Sequence, residues 1–134
     1  MGGLLGALLL SACATPGPTP PDRGRSTTQL ADRRLYSVTV APAVTPVPTN
    51  QVHDWTLRVA TREGRPVDGA TIAVDGGMPE HGHGLPTQPR VTRALGEGQY
   101  LVEGVKLSMP GRWTVWFQIE GPAGADTVTF DLLL

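Results

Sequence analysis

From Arg34 onward, large apolar side chains recur at every second position, in runs that Gly or Pro interrupts about every 8 to 14 residues. A period of two belongs to a strand with one buried face, whereas a helix repeats its apolar residues at three and four. The 17 Gly and 13 Pro among 134 positions also disfavour long helices. Seven strands are expected, over residues 34–41, 52–61, 69–75, 90–95, 99–103, 112–120 and 125–133. In the second, His53, Trp55, Leu57 and Val59 share one face, with Asp54, Thr56 and Arg58 on the other. In the sixth, Trp113, Val115, Phe117 and Ile119 point one way, and Val128, Phe130 and Leu132 do so in the seventh. The expected fold is all-β, an immunoglobulin-like seven-stranded antiparallel β-sandwich. With one Cys in the chain there is no intersheet disulfide, so packing must hold the sheets together. Burial of Trp55, Trp113 and Phe117 would contribute about 2–3 kcal/mol each. Trp116 faces away from Trp113 and is expected to cover an edge or mark a contact patch.

The first residues read as an address. The apolar run Leu4–Leu10 has the length of a secretory core segment and is too short to span a bilayer. Leu10-Ser11-Ala12-Cys13 resembles the lipobox of bacterial lipoproteins, which implies cleavage before Cys13 and a diacylglycerol on its thiol. Acylation also accounts for the single cysteine, which would otherwise be a reactive thiol in an exported chain. No Lys or Arg precedes the apolar run, so the expected translation start lies upstream of Met1. Three segments follow from this reading: a signal peptide (1–12), a lipidated Cys13 with a disordered Pro-rich tether (13–33), and a folded domain (34–134). Ala14 after the cysteine favours the outer membrane if the cell is Gram-negative, with the domain facing the periplasm.

Charge excludes one class of partner. The chain carries 11 Lys+Arg against 12 Asp+Glu, and the basic residues are scattered, so it has no footprint for phosphate contacts and no nucleic acid is expected. Catalysis is not expected either. There is no Gly-x-Ser-x-Gly elbow, no phosphate-cradling Gly-rich loop opening a helix and no evident pair of flanking carboxylates.

The candidate chemistry lies in soft ligands. His53, His81, His83, Met78 and Met109 remain after processing, and the densest stretch is Gly76-Gly77-Met78-Pro79-Glu80-His81-Gly82-His83-Gly84-Leu85-Pro86-Thr87. Imidazole and thioether bind borderline and soft metals, and glycines beside each His let the backbone bring the rings together. In a sandwich of this strand order, His53, the Met78–His83 segment and Met109 fall at one end. Such a donor set suits a copper ion better than zinc, in either oxidation state. The structural alternative assigns the loop histidines to turn capping, His53 to the edge of the core, and Met78 and Met109 to plugging its open end.

Over residues 50–134 the chain resembles the YtkA-like family, related to FixH-type periplasmic domains. The likeness rests on Trp55 and its strand, on GRPVDGATIAVDGGMPEHGHGLPTQPRV (64–91) and on GQYLVEGVKLSMPGRWTVWFQI (98–119). The resemblance implies an immunoglobulin-like fold distantly similar to CopC-like copper carriers, and an exported or membrane-anchored location. It also implies metal handling centred on Met78, His81, His83 and Met109. Unlike CopC-like carriers the processed chain would have no N-terminal histidine ligand, which argues against a CopC-type Cu(II) site. The leading expectation is a lipid-anchored extracytoplasmic metal-binding carrier or accessory protein, with copper as the ion. The alternative is a metal-free protein-interaction module, an accessory subunit of an envelope complex.

Overall fold

The computed structural model describes residues 27–134, so the lipobox, Cys13 and the Pro-rich stretch after it lie outside the described residues. Among the described residues nine strands form two antiparallel sheets: β1 Thr27–Leu30, β2 Tyr36–Pro42, β3 His53–Thr61, β4 Thr71–Met78, β5 His83–Gly84, β6 Arg90–Gly96, β7 Gln99–Val105, β8 Arg112–Gly121 and β9 Gly124–Leu133. One sheet has the order β1-β2-β3-β7-β6 and the other β5-β4-β8-β9. A single 3-10 turn, Pro79–His81, joins β4 to β5. No helix among the described residues is long and apolar enough to cross a membrane.

The period-two pattern sets which faces meet. Tyr36, Val38 and Val40 of β2, Trp55, Leu57 and Val59 of β3, and Trp113, Val115, Phe117 and Ile119 of β8 are all buried between the sheets. Phe117 and Phe130 meet edge to face with centroids 5.9 Å apart, the arrangement that aromatic quadrupoles favour.

Two strands were not among the seven expected. β1 lies inside the stretch that composition assigns to the tether, yet it pairs with β2 from Thr27↔Val40 to Leu30↔Ser37. Thr27-Thr28-Gln29-Leu30 has no apolar alternation to betray it, because the backbone ladder supplies its pairing. The turn after it is fixed from a distance: the Asp126 carboxylate accepts hydrogen bonds from the backbone N–H groups of Arg33 (2.9 Å) and Leu35 (3.0 Å). β5, only two residues long, lies in the expected long loop and runs back along the end of β4. The strand expected to end at Glu103 continues to Val105. Gly104, with φ of 84°, takes up a register shift against β3, so that Val102 and Val105 both point inward.

Pairing fixes the poles. Pro42 lies opposite Trp55, His53 opposite Val105, Gly77 opposite Thr114, and Arg112 opposite Leu133. The start of β3, the ends of β4, β7 and β9, and the start of β8 therefore share one end, which also holds the 106–111 loop. That loop is bonded across the end of the sandwich. Asn50 N–H donates to the Leu107 carbonyl (2.7 Å), and Gly111 and Leu134 exchange hydrogen bonds at 3.1 and 3.0 Å.

Candidate functional site

The Met-Pro-Glu-His-Gly-His segment is shaped by the glycines before it. A Cβ on Gly76 would stand 2.5 Å from the Thr114 carbonyl oxygen, and one on Gly77 would stand 2.5 Å from that of His83. Only glycine lets β8 and β5 close on β4 from its two sides here. Met78 then turns inward and is wholly buried. Pro79 opens the 3-10 turn, and Gly82 closes it in the left-handed region (φ 67°), its N–H donating to the Met78 carbonyl at 3.0 Å. The reversal places Met78 opposite His83 and Gly77 opposite Gly84.

His81 and His83 thus flank one glycine on the surface, their ring centroids 6.0 Å apart and their planes inclined by 37°. The His83 ring also meets the buried Trp113 indole edge-on at 5.6 Å. His83 Nδ1 lies 3.0 Å from the Gly84 carbonyl oxygen. A carbonyl only accepts, so Nδ1 carries the hydrogen and the neutral ring presents its lone pair at Nε2. Glu80 and Arg112 form an exposed ion pair at 3.8 Å, a contact that solvent screens.

The five candidate ligands share a pole but not a role. Met78 is core, packed so that a Cβ on Gly111 would come within 2.7 Å of its methyl carbon. His53 is buried, 7% exposed, with Nδ1–H donating to the Gln51 carbonyl (3.1 Å) and its ring 6.1 Å from that of Trp55. Its Nε2 and the Trp55 Nε1 have no hydrogen-bond partner among the described residues. Met109 is 36% exposed, and its carbonyl accepts the Trp113 indole N–H at 2.9 Å. Among the described residues no three His, Cys, Asp or Glu side chains gather as a metal-binding group. Only His81 and His83 pair.

Sequence reasoning missed a cleft beside this loop. Trp116, half-buried on the outer face of β8 opposite Asp75, lines it together with Pro79, Gly82 and His83. The signal was present in Trp116 itself, which breaks the alternation on β8; its neighbours come from a loop whose path depends on Gly76, Gly77 and Gly82.

The sequence model of the YtkA-like family matches residues 33–117, which is more than half of the chain and contains both the histidine loop and Trp116. The chain belongs to the YtkA-like family. No curated protein and no solved structure matches it.

Proposed function

We propose that this YtkA-like protein is a lipid-anchored extracytoplasmic interaction module, an accessory subunit of an envelope complex, built on an immunoglobulin-like sandwich. The order β2-β3-β7-β6 against β4-β8-β9 supports that fold, since it is the strand order of a constant-type immunoglobulin domain. The lipobox at Leu10–Cys13 supports the anchor, and Ala14 supports the outer membrane of a Gram-negative cell. One observation carries the choice of a module over a carrier: Met78 and His53 are built into the core rather than offered to an ion. What the loop offers is a cleft with an aromatic floor at Trp116, an Asp75 carboxylate and an imidazole, a combination suited to a protruding side chain of a protein partner. The test is chemical crosslinking in solubilised envelopes, with and without chelator. The expected result is one crosslinked partner that persists in chelator and disappears with Trp116→Ala. Its loss on chelation alone would reject the reading.

The His81–His83 pair supports a second reading, in which the loop binds a copper ion. Two imidazoles that share an ion, each with its nitrogen about 2 Å from the metal, stand about 5–6 Å apart between ring centres. The observed separation is 6.0 Å, and the carbonyl on His83 Nδ1 leaves Nε2 as the donor. Competition for Cu(I) against a chromophoric chelator tests this reading. Equal withdrawal of copper by the native chain and by a His81→Ala/His83→Ala variant would end it.

A further inference from the structure

We propose that the pole bearing the 106–111 loop is the membrane-facing end of the domain, and that its exposed apolar side chains seat in the interfacial layer of a lipid bilayer. The inference rests on the lipid-anchor reading above.

The path of the chain is the first observation. β1 begins at Thr27, opposite Val40, and ends at Leu30, opposite Ser37, while β2 runs the other way to Pro42. The segment that follows Cys13 therefore joins the domain at the pole where β2 ends and β3 begins. Cys13 and Thr27 are 14 residues apart in sequence. A chain covers at most about 3.3–3.6 Å per residue, so this pole lies within about 50 Å of a lipid on Cys13 under any conformation of the intervening residues. For the opposite pole the same limit is larger by the length of the sandwich.

Apolar exposure is the second observation, and it is independent of the first. Among the described residues six large hydrophobic side chains are exposed, and four belong to this pole: Val44 (51%), Val52 (62%), Met109 (36%) and Leu133 (38%). Val44 follows the end of β2, Val52 precedes β3, Met109 sits in the 106–111 loop and Leu133 ends β9. Isolated exposed apolar residues are ordinary on a protein surface, but their concentration at one end marks a contact.

These residues are also held in place. Ala43 N–H donates to the Asp54 carbonyl (2.8 Å), Asn50 N–H to the Leu107 carbonyl (2.7 Å), and Trp113 Nε1–H to the Met109 carbonyl (2.9 Å). Gly111 and Leu134 tie the same loop to the end of β9. Loops bonded in this way keep apolar groups displayed, and little ordering remains to be imposed when they meet a surface. A bilayer is the occupant that the tether favours: holding the pole near the lipid raises its effective concentration there, so even a weak apolar contact is populated. Lys106, Arg112 and Arg90 at this pole are matched by Asp54, Glu80 and Glu103, so no excess of positive charge draws it to anionic lipid and the contact should depend little on lipid charge.

The sole native cysteine is Cys13, so a second cysteine gives a unique thiol for a dye once the first is acylated. The full-length protein would be expressed with labelled palmitate and reconstituted in vesicles of phosphatidylethanolamine and phosphatidylglycerol. A polarity-sensitive fluorophore would be placed in turn at Val52→Cys, Met109→Cys and Leu95→Cys, the last at the opposite pole. The expected result is emission at positions 52 and 109 raised about two-fold or more and quenched by spin-labelled lipid, with position 95 unchanged. Labelled Cys13 with all three probes equally exposed to water would overturn the membrane-facing pole and leave the anchor standing. Absence of label on Cys13 would overturn both. Quenching at 95 but not at 52 or 109 would place the domain the other way up and reject the proposal.

Discussion

The Trp113 indole N–H donates to the carbonyl oxygen of Met109 across 2.9 Å, so a fully buried core residue anchors an exposed loop. Trp113 also lies against the His83 ring, which couples the 106–111 loop to the histidine loop through one side chain. Trp113→Phe removes that donor and part of a buried ring. A loss of about 2–4 kcal/mol is expected in urea unfolding, with faster amide exchange in residues 106–111 than in β2.

Met78 and His81 are three residues apart in sequence, and their substitutions should have opposite consequences. Met78→Ala deletes a wholly buried side chain and should lower stability by about 2–5 kcal/mol. His81→Ala alters an exposed ring and should leave stability within about 0.5 kcal/mol. Denaturant titration of both variants tests whether Met78 serves as packing; a near-neutral Met78→Ala would contradict its assignment to the core.

Acid should loosen the join between β1 and the rest of the sandwich. Burial pushes the Asp126 carboxyl up, but hydrogen bonds from the backbone N–H groups of Arg33, Leu35 and Thr127, with the Arg33 charge, outweigh burial and hold it below the usual carboxylate range. A folded-state pKa below the unfolded one means the ionised group stabilises the fold. That contribution is fully present above the unfolded value of about 3.9 and is lost as pH falls through the lower folded value. Asp126→Asn should lower stability at pH 7 by about 1–3 kcal/mol and flatten the fall in stability below about pH 4. Thermal unfolding of both proteins between neutral and acid pH measures this.

His53 offers a test of the opposite sign. Its Nε2 is buried without a partner among the described residues, an arrangement that lowers stability unless a ligand completes it. His53→Leu keeps an apolar-sized side chain and removes the orphaned atom, so it should be neutral or stabilising by about 1 kcal/mol in a metal-free protein. If copper shifts the melting temperature of the native chain but not of His53→Leu, then His53 holds the ion and the core-edge assignment fails.

Much of the fold was legible in one dimension. Alternation placed Trp55, Leu57 and Val59 on one face of β3, and Trp113, Val115, Phe117 and Ile119 on one face of β8, because a strand turns successive side chains to opposite sides whatever surrounds it. The shared pole of His53, Met78, His81, His83 and Met109 was also legible, since it follows from strand order alone. Local residues could not decide the rest. β1 is polar and is held by bonds to β2 and to Asp126, which lies far along the chain. Likewise, which of five soft side chains face inward depends on neighbours: Met78 is buried where Gly111 leaves room for its methyl, and His53 where the sheets close over β3. Period and turn chemistry are properties of a short segment, so the sequence determined the seven longer strands, while β1, β5 and the continuation of β7 to Val105 depended on the partners they pair with. Burial and convergence are properties of two sheets in contact, and only the tertiary structure decided which ligand-bearing residues became core and which remained at the surface.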